Sequence, residues 1–98
     1  MTRVYGAADR EALMKLAAGE PIAIDVVESE SEDEEHEFEA MMSAAERGPV
    51  VVTAEVESVT APVRLENVEA FHVDMDDSGD LAWFARQELI QVIEFLTD

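Results

Sequence analysis

One run of residues limits the possible folds of this chain more than any other. Pro49 is followed by Val50-Val51-Val52-Thr53-Ala54-Glu55-Val56, in which β-branched residues dominate. Alternation along a strand places the even-numbered residues on one apolar face and Thr53, Glu55 and Glu57 on the other. The run therefore predicts a β-strand, and the apolar face of that strand requires other elements to pack against it.

Three segments carry apolar residues at helical spacing. Asp9 is a suitable N-cap and Gly19 a suitable C′ residue for a first helix of about nine residues. Ser31 and Glu34 have the spacing of a capping box for a second helix, which Gly48 is expected to stop. The apolar stripes are Leu13, Leu16 and Ala17 in the first helix, Phe38, Met41, Met42 and Ala45 in the second, and Leu89, Val92, Ile93 and Leu96 in the third.

Further strands are predicted at Thr2–Gly6, Ile22–Val27 and Val68–Val73, where Phe71 and Val73 share one face. The segment Leu81–Ala85 either returns as the hairpin partner of the last of these strands or starts the final helix, and we favour the strand. The order is then β-α-β-α-β-β-(β)-α. It predicts an α+β fold with a mixed four- to five-stranded sheet and about three helices, in which the two early helices are crossovers between parallel strands.

The length and composition indicate one intracellular domain. The chain has 98 residues and no cysteine, so we expect a single domain over 1–98 without disulfides or thiolate metal sites. Its start lacks the apolar core of a signal peptide, and no apolar run reaches the roughly 20 residues of a membrane helix. We therefore expect a cytoplasmic protein that does not bind membranes.

Negative charge dominates the composition. The chain has 24 acidic residues against 6 basic ones, a formal net charge of −18, with an acidic loop at about 28–33. Such a field repels nucleic acids and anionic membranes and attracts basic protein surfaces. Solubility alone or adaptation to salt would also explain it, and so would mimicry of DNA that inhibits a DNA-binding protein. The candidate partner-binding acids are Glu30, Glu32, Asp33, Glu34 and Glu35.

An aspartate-rich turn is the nearest approach to a metal motif. Asp74, Asp76 and Ser78 fall at positions 1, 3 and 5 of a calcium loop, with Asp80 beside them and Gly79 at the bend. Position 12, however, is Ala85 instead of the bidentate glutamate. A polar hairpin turn accounts for the same residues, so calcium binding stands as an alternative function.

The remaining reactive residues do not assemble a catalytic motif in the sequence. His72 precedes Asp74 by two residues on one strand face, so the carboxylate could raise the histidine pKa. Because a nucleophile is lacking, we favour an ordinary outward-facing or hydrogen-bonded histidine. We therefore expect no enzyme activity and no cofactor. We favour a core position for Trp83, and an interface position beside Arg86 is the alternative. Alternation prevents Trp83 and Phe84 from facing the same side of a strand.

Several blocks of the sequence resemble an uncharacterised family of small acidic actinobacterial proteins. The blocks are Arg3-Val4-Tyr5, Glu37-Phe38-Glu39-Ala40 with Ala44-Ala45, His72-Val73-Asp74, and Leu81-Ala82-Trp83-Phe84-Ala85-Arg86-Gln87-Glu88-Leu89. The last block is the most specific. The resemblance implies an intracellular bacterial protein and supplies no activity and no site.

Together these features favour a non-enzymatic interaction module whose acidic surface binds a basic protein partner. Calcium binding and DNA mimicry are the alternatives. The sequence leaves the oligomeric state open.

Overall fold

A computed structural model describes residues 2–28, 33–74 and 81–96 of the chain. The described strands are β1 Thr2–Ala8, β2 Val26–Glu28, β3 Val50–Val56, β4 Val68–Asp74 and β5 Leu81–Ala85, and the helices are α1 Arg10–Ala17, α2 Glu34–Ala45 and α3 Leu89–Phe95. The α+β class and the predicted order are confirmed, including the strand over 81–85. None of the described helices is long and apolar enough to cross a membrane.

The described strands form one sheet in the order β2-β1-β3-β4-β5. Each of its four pairings is antiparallel, so the sheet is antiparallel where a mixed sheet was expected. The reason is the position of β1, which lies between β2 and β3. Since both neighbours run antiparallel to β1, β2 and β3 run in the same direction, and α2 does cross between them. However, β2 and β3 are not adjacent in the sheet, and α1 connects β1 to its antiparallel neighbour β2. Neither helix therefore connects two adjacent parallel strands.

The larger core lies on the face of the sheet that packs against α1 and α3. The predicted apolar face of β3 is confirmed, because Val50, Val52, Ala54 and Val56 are all buried there. β4 contributes the predicted pair Phe71 and Val73. The predicted apolar residues Leu13 and Leu16 of α1 and Leu89, Val92 and Ile93 of α3 complete this core.

Local signals set both ends of α1 as predicted. The Asp9 carboxylate accepts a hydrogen bond from the Ala12 backbone N–H at 2.9 Å, which satisfies one of the unpaired donors of the first turn. Gly19 follows the helix with φ of +86°, a left-handed conformation that suits glycine best.

The buried face of α2 differs from the predicted stripe. Phe38 is 60% exposed and the buried residues are Ala40 and Ala44, whereas Met41 and Ala45 of the predicted stripe are partly buried against the same cluster. The cause is Glu37, one helical turn before Ala40 and Met41, whose carboxylate bonds to Arg3 and Tyr5 of β1. These bonds turn the face of Glu37 towards the sheet, and Phe38 points away from it.

The ends of α2 also differ from the prediction. Asp33 is the N-cap, and its carboxylate accepts a hydrogen bond from Glu35 N–H at 2.9 Å. Ser31, the predicted cap, lies outside the described residues. At the other end the helix stops at Ala45, with Glu46 as C-cap, so Gly48 follows the end of the helix and does not supply its C′ residue.

The predicted strand Ile22–Val27 is divided. Ile22 pairs with Val63 in an isolated bridge, with N···O distances of 2.8 and 2.9 Å, and β2 begins only at Val26. The intervening residues pass beside Gly6 of β1. A Cβ at Gly6 would lie 2.6 Å from Ile24 Cδ1 and 3.1 Å from the Asp25 carbonyl oxygen.

Gly6→Ala is therefore expected to lower the free energy of unfolding by about 1–3 kcal/mol, because the new methyl group overlaps Ile24. Urea denaturation measures the loss. Ile24→Val removes the Cδ1 atom, so the double variant Gly6→Ala/Ile24→Val should be more stable than the sum of the single losses predicts. Strict additivity of the two losses would contradict this steric explanation.

Candidate functional site

The described residues cover the second face of the sheet over only part of its width. The helix α2 packs on β1, β2 and β3, where Tyr5, Val51, Ala40 and Ala44 form a small buried cluster. The registers place Ala70, His72 and Asp74 of β4 opposite Ala85, Trp83 and Leu81 of β5 on this same face. Leu81 still contacts the α2 cluster, but Trp83 is 62% exposed. This part of the face is therefore open beside Trp83.

A groove begins at Trp83 and runs along the end of the sheet. We call it the Trp83 groove; its cavity volume is about 480 Å³, and it is lined by Glu55, Glu66, Asn67, Val68, Glu69, Trp83, Ala85, Arg86 and Gln87. Arg86 is held by a hydrogen bond from its Nη1 to the Glu66 carbonyl oxygen at 3.0 Å. The groove thus combines one aromatic ring, one guanidinium and three carboxylates.

Arg3 organises the carboxylates beside the groove. Its guanidinium lies 3.1 Å from Glu37, 2.9 Å from Glu69 and 3.8 Å from Glu55. Burial opposes the charged guanidinium, but the hydrogen bond to Glu37 and the charge of Glu69 outweigh it and raise the pKa of Arg3. One cation therefore serves three anions, and the cluster of these four side chains stays negative.

Tyr5 joins the same cluster from beneath α2. Its hydroxyl donates a hydrogen bond to Glu37 at 2.9 Å. Burial, followed by this bond to a carboxylate, raises the pKa of Tyr5 to about 12. The bonds from Tyr5 and Arg3 in turn lower the pKa of Glu37. Tyr5 is therefore a neutral donor at physiological pH, and Glu37 stays ionised.

His72 is hydrogen-bonded to Thr53 of β3. Its Nε2 lies 3.0 Å from the hydroxyl of Thr53, which is only 6% exposed. The favoured interpretation, a hydrogen-bonded histidine, agrees with this contact, whereas the alternative of a pKa raised by Asp74 is wrong, because burial lowers the pKa of His72. This hydrogen bond connects β3 and β4 and has a structural role under Trp83, which lies opposite His72 in the register.

The predicted partner-binding residues separate into groups. Trp83 and Arg86 come together in the Trp83 groove. Asp33 caps α2, and Glu34 and Glu35 lie exposed in its first turn, where the helix dipole favours acids. Glu30 and Glu32 lie outside the described residues, so DNA mimicry by the acidic run stays a prediction.

The aspartate-rich turn is represented by Asp74 alone, because Asp76, Ser78 and Asp80 lie outside the described residues. Within the ranges 2–28, 33–74 and 81–96, no three or more histidine, cysteine or acidic side chains are arranged so that they could hold a metal ion. Calcium binding at this turn stays a prediction.

Sequence reasoning missed the acids that reach the groove. Alternation along β3 predicts that Glu55 points to the outward face of the strand. It does not predict which side chains lie next to Glu55. Glu66 and Glu69 carried no signal, since they come together with Trp83 only through the pairing of β3, β4 and β5. In the sequence, Arg3 and Glu37 stand out only as members of the blocks that resemble the actinobacterial family.

Comparison of the chain with family models, with curated proteins and with solved structures finds no match. The resemblance to the actinobacterial family therefore stays a prediction. The surface geometry is the remaining basis for inferring a function.

Arg3→Met tests the role of Arg3 in the cluster. We expect a loss of about 1 kcal/mol in unfolding free energy at low ionic strength, because three carboxylates are left close together and exposed ion pairs contribute little individually. Added salt should reduce the loss by screening the repulsion. Thermal melts at low and high sodium chloride measure this effect.

Arg10→Met is the matched control, since it removes the same charge from the first turn of α1, on the opposite side of the sheet. Equal losses for the Arg3 and Arg10 variants, with equal salt dependence, would mean that only net charge matters.

His72→Gln tests the buried imidazole. Because the folded pKa of His72 is lowered, the unfolded chain takes up its proton more readily. The stabilising contribution of neutral His72 is then present above the ordinary pKa of about 6.5 and is lost as the pH falls through the folded pKa. The stability difference between the native chain and His72→Gln should shrink as the pH falls from about 7.5 to about 5.5.

Urea denaturation across that range provides the measurement, and His36→Gln controls for the loss of an imidazole elsewhere. A stability difference that stays constant with pH would contradict the assigned environment of His72.

Proposed function

We propose that this chain is a non-enzymatic interaction module that binds a basic segment of a partner protein in the Trp83 groove. The observation that carries the proposal is the 62% exposure of Trp83 beside three carboxylates. Burial of a large aromatic side chain normally stabilises the fold, and an exposed tryptophan does not make that contribution. Its burial energy is instead available for binding a partner. Exposed tryptophan and arginine side chains are also the residues most enriched among binding hot spots.

The chemistry of the groove selects cations. A lysine or arginine side chain placed over an indole ring is attracted by the ring quadrupole. Glu55, Glu66 and Glu69 line the same groove and offer acceptors for the charged head group. These groups recognise charge and shape, so the proposal assigns them binding and no catalytic step.

The net charge of −18 supports the same partner at longer range. It accelerates the encounter with a basic protein and disfavours acidic competitors and nucleic acids. Solubility alone would explain the charge, but it would not explain an exposed tryptophan at the negative groove.

The single tryptophan makes the test direct, because all indole fluorescence comes from Trp83. Titration with a short peptide that alternates arginine with valine should change the Trp83 emission and saturate, and salt should weaken the binding. A peptide that alternates glutamate with valine should have no effect. Calorimetry should show that Trp83→Ala weakens binding about tenfold or more.

Glu69→Gln and Glu20→Gln form a matched pair of charge variants. Glu69 lines the groove, whereas Glu20 follows α1 on the opposite side of the sheet. Binding should weaken with Glu69→Gln and stay unchanged with Glu20→Gln. An unchanged Trp83 emission with the arginine peptide, or equal weakening by the two variants, would reject the groove as the binding site.

A further inference from the structure

The strand β5 lies at an edge of the sheet. It pairs with β4 on one side, and within the described ranges no strand pairs with its other side. All five of its residues retain solvent exposure, in contrast to the buried residues of β3 and β4. An unpaired edge presents backbone N–H and C=O groups that can accept a further strand.

A hydrogen bond at the end of β5 shows which backbone groups point outwards. The Ala85 N–H donates to the Glu88 carboxylate at 2.8 Å, so it does not take part in the ladder with β4. Antiparallel partners alternate between hydrogen-bonded and non-hydrogen-bonded pairs. Ala85 and Ala70 are thus a non-hydrogen-bonded pair, as are Trp83 with His72 and Leu81 with Asp74. The N–H and C=O groups of Trp83 and Leu81 therefore face the open edge.

Among the described residues, this edge has none of the usual protection against strand addition. Natural edges are blunted by lysine, proline, bulges or covering elements. The sequence of β5, Leu-Ala-Trp-Phe-Ala, has no lysine and no proline. The Glu88 side chain occupies the N–H of Ala85 only. Pairing between two copies of this edge is opposed by the repulsion of two chains that each carry a net charge of −18.

We propose that the basic partner segment adds to β5 as a sixth strand, hydrogen-bonded to the backbone of Trp83 and Leu81. This inference rests on the proposed function and specifies how the groove is used. Glu88 sets the end of the docking site, because it already satisfies the next outward N–H at Ala85. Strand addition is an established mode of peptide recognition in which the backbone gives affinity and alternate side chains give specificity.

The two faces of β5 determine the pattern of the added strand. Residues of the segment on the Trp83 side meet the indole ring, and next to it Ala85 and Ala70 lie opposite each other with small side chains. Neighbouring strands lie about 4.8 Å apart, so a long basic side chain of the added strand can extend over Ala85 and Ala70 towards Glu69. Residues on the other side meet Phe84, which packs against the apolar core. The segment therefore alternates basic and apolar residues.

Amide hydrogen exchange tests the assigned backbone directions. In the free chain the amides of Ala82 and Phe84 should already be protected by β4, while those of Leu81 and Trp83 exchange rapidly. Saturation with the arginine–valine peptide should slow exchange at Leu81 and Trp83 about fivefold or more. Bound peptide without protection of Leu81 and Trp83 would overturn strand addition and leave groove binding intact.

Methylation of the peptide backbone gives a second, independent readout. Methyl groups on alternate amide nitrogens remove either the hydrogen bonds to β5 or the donors that face away from it. One methylated series should bind about fivefold more weakly for each lost hydrogen bond, and the other should bind like the parent peptide. Equal binding by both series would overturn the proposal.

The remaining alternative is that β5 of a second copy of this chain pairs with the open edge of β5. Sedimentation of the free chain should give a monomer at low and moderate salt. A dimer with protected Leu81 and Trp83 amides, in the absence of peptide, would overturn the basic segment as the occupant of the edge. Failure of every peptide to change Trp83 emission would reject the proposed function itself.

Discussion

The burial of β3 on both of its faces is the constraint on which the structure depends. Val50, Val52, Ala54 and Val56 form the middle of the larger core, and Val51 and Thr53 on the opposite face are also buried. A strand that is apolar on both sides requires a strand at each edge and a layer on each face. The chain meets this requirement with β1 and β4 at the edges, α1 and α3 on one face, and α2 on the other.

The two layers are unequal, and the candidate site follows from that difference. The helix α2 reaches β1, β2 and β3, whereas β4 and β5 extend the sheet beyond it. Their outer face would need a further element to bury Trp83 fully. Among the described residues, the side chains around Trp83 include the carboxylates of Glu55, Glu66 and Glu69. The exposed indole ring therefore has a polar, negatively charged border. Such a combination favours a cationic partner over apolar self-association.

Local signals in the sequence predicted local structure well. Asp9 and Gly19 set the limits of α1, and alternation identified the face of β3 and β4 that lies in the larger core, because these features depend on neighbouring residues. Alternation also assigned Thr53 to the outward face of β3, where it is in fact buried beneath the α2 layer. The direction of pairing and the buried face of α2 depend on distant contacts, such as Glu37 with Arg3, which no local pattern encodes. The favoured core position of Trp83 is wrong, because β5 turns this side chain to a part of the sheet face that α2 does not reach. The acids of the groove come from three separate segments and are assembled only by the register of the sheet.

Net charge alone does not explain the arrangement at the groove. Arg3 and Arg86 are two of only six basic residues in the chain, and both lie among acids at one end of the sheet. Arg3 lies 3.8 Å or less from Glu37, Glu55 and Glu69, and the cluster remains negative because three carboxylates share one guanidinium. The free-energy cost of bringing these acids together is borne when the chain folds. A cation that binds later therefore does not have to bring the carboxylates together. In the proposed binding mode, selectivity for an extended basic segment arises from the spacing of these charges, the Trp83 ring and the backbone of β5, and the overall charge mainly accelerates the encounter.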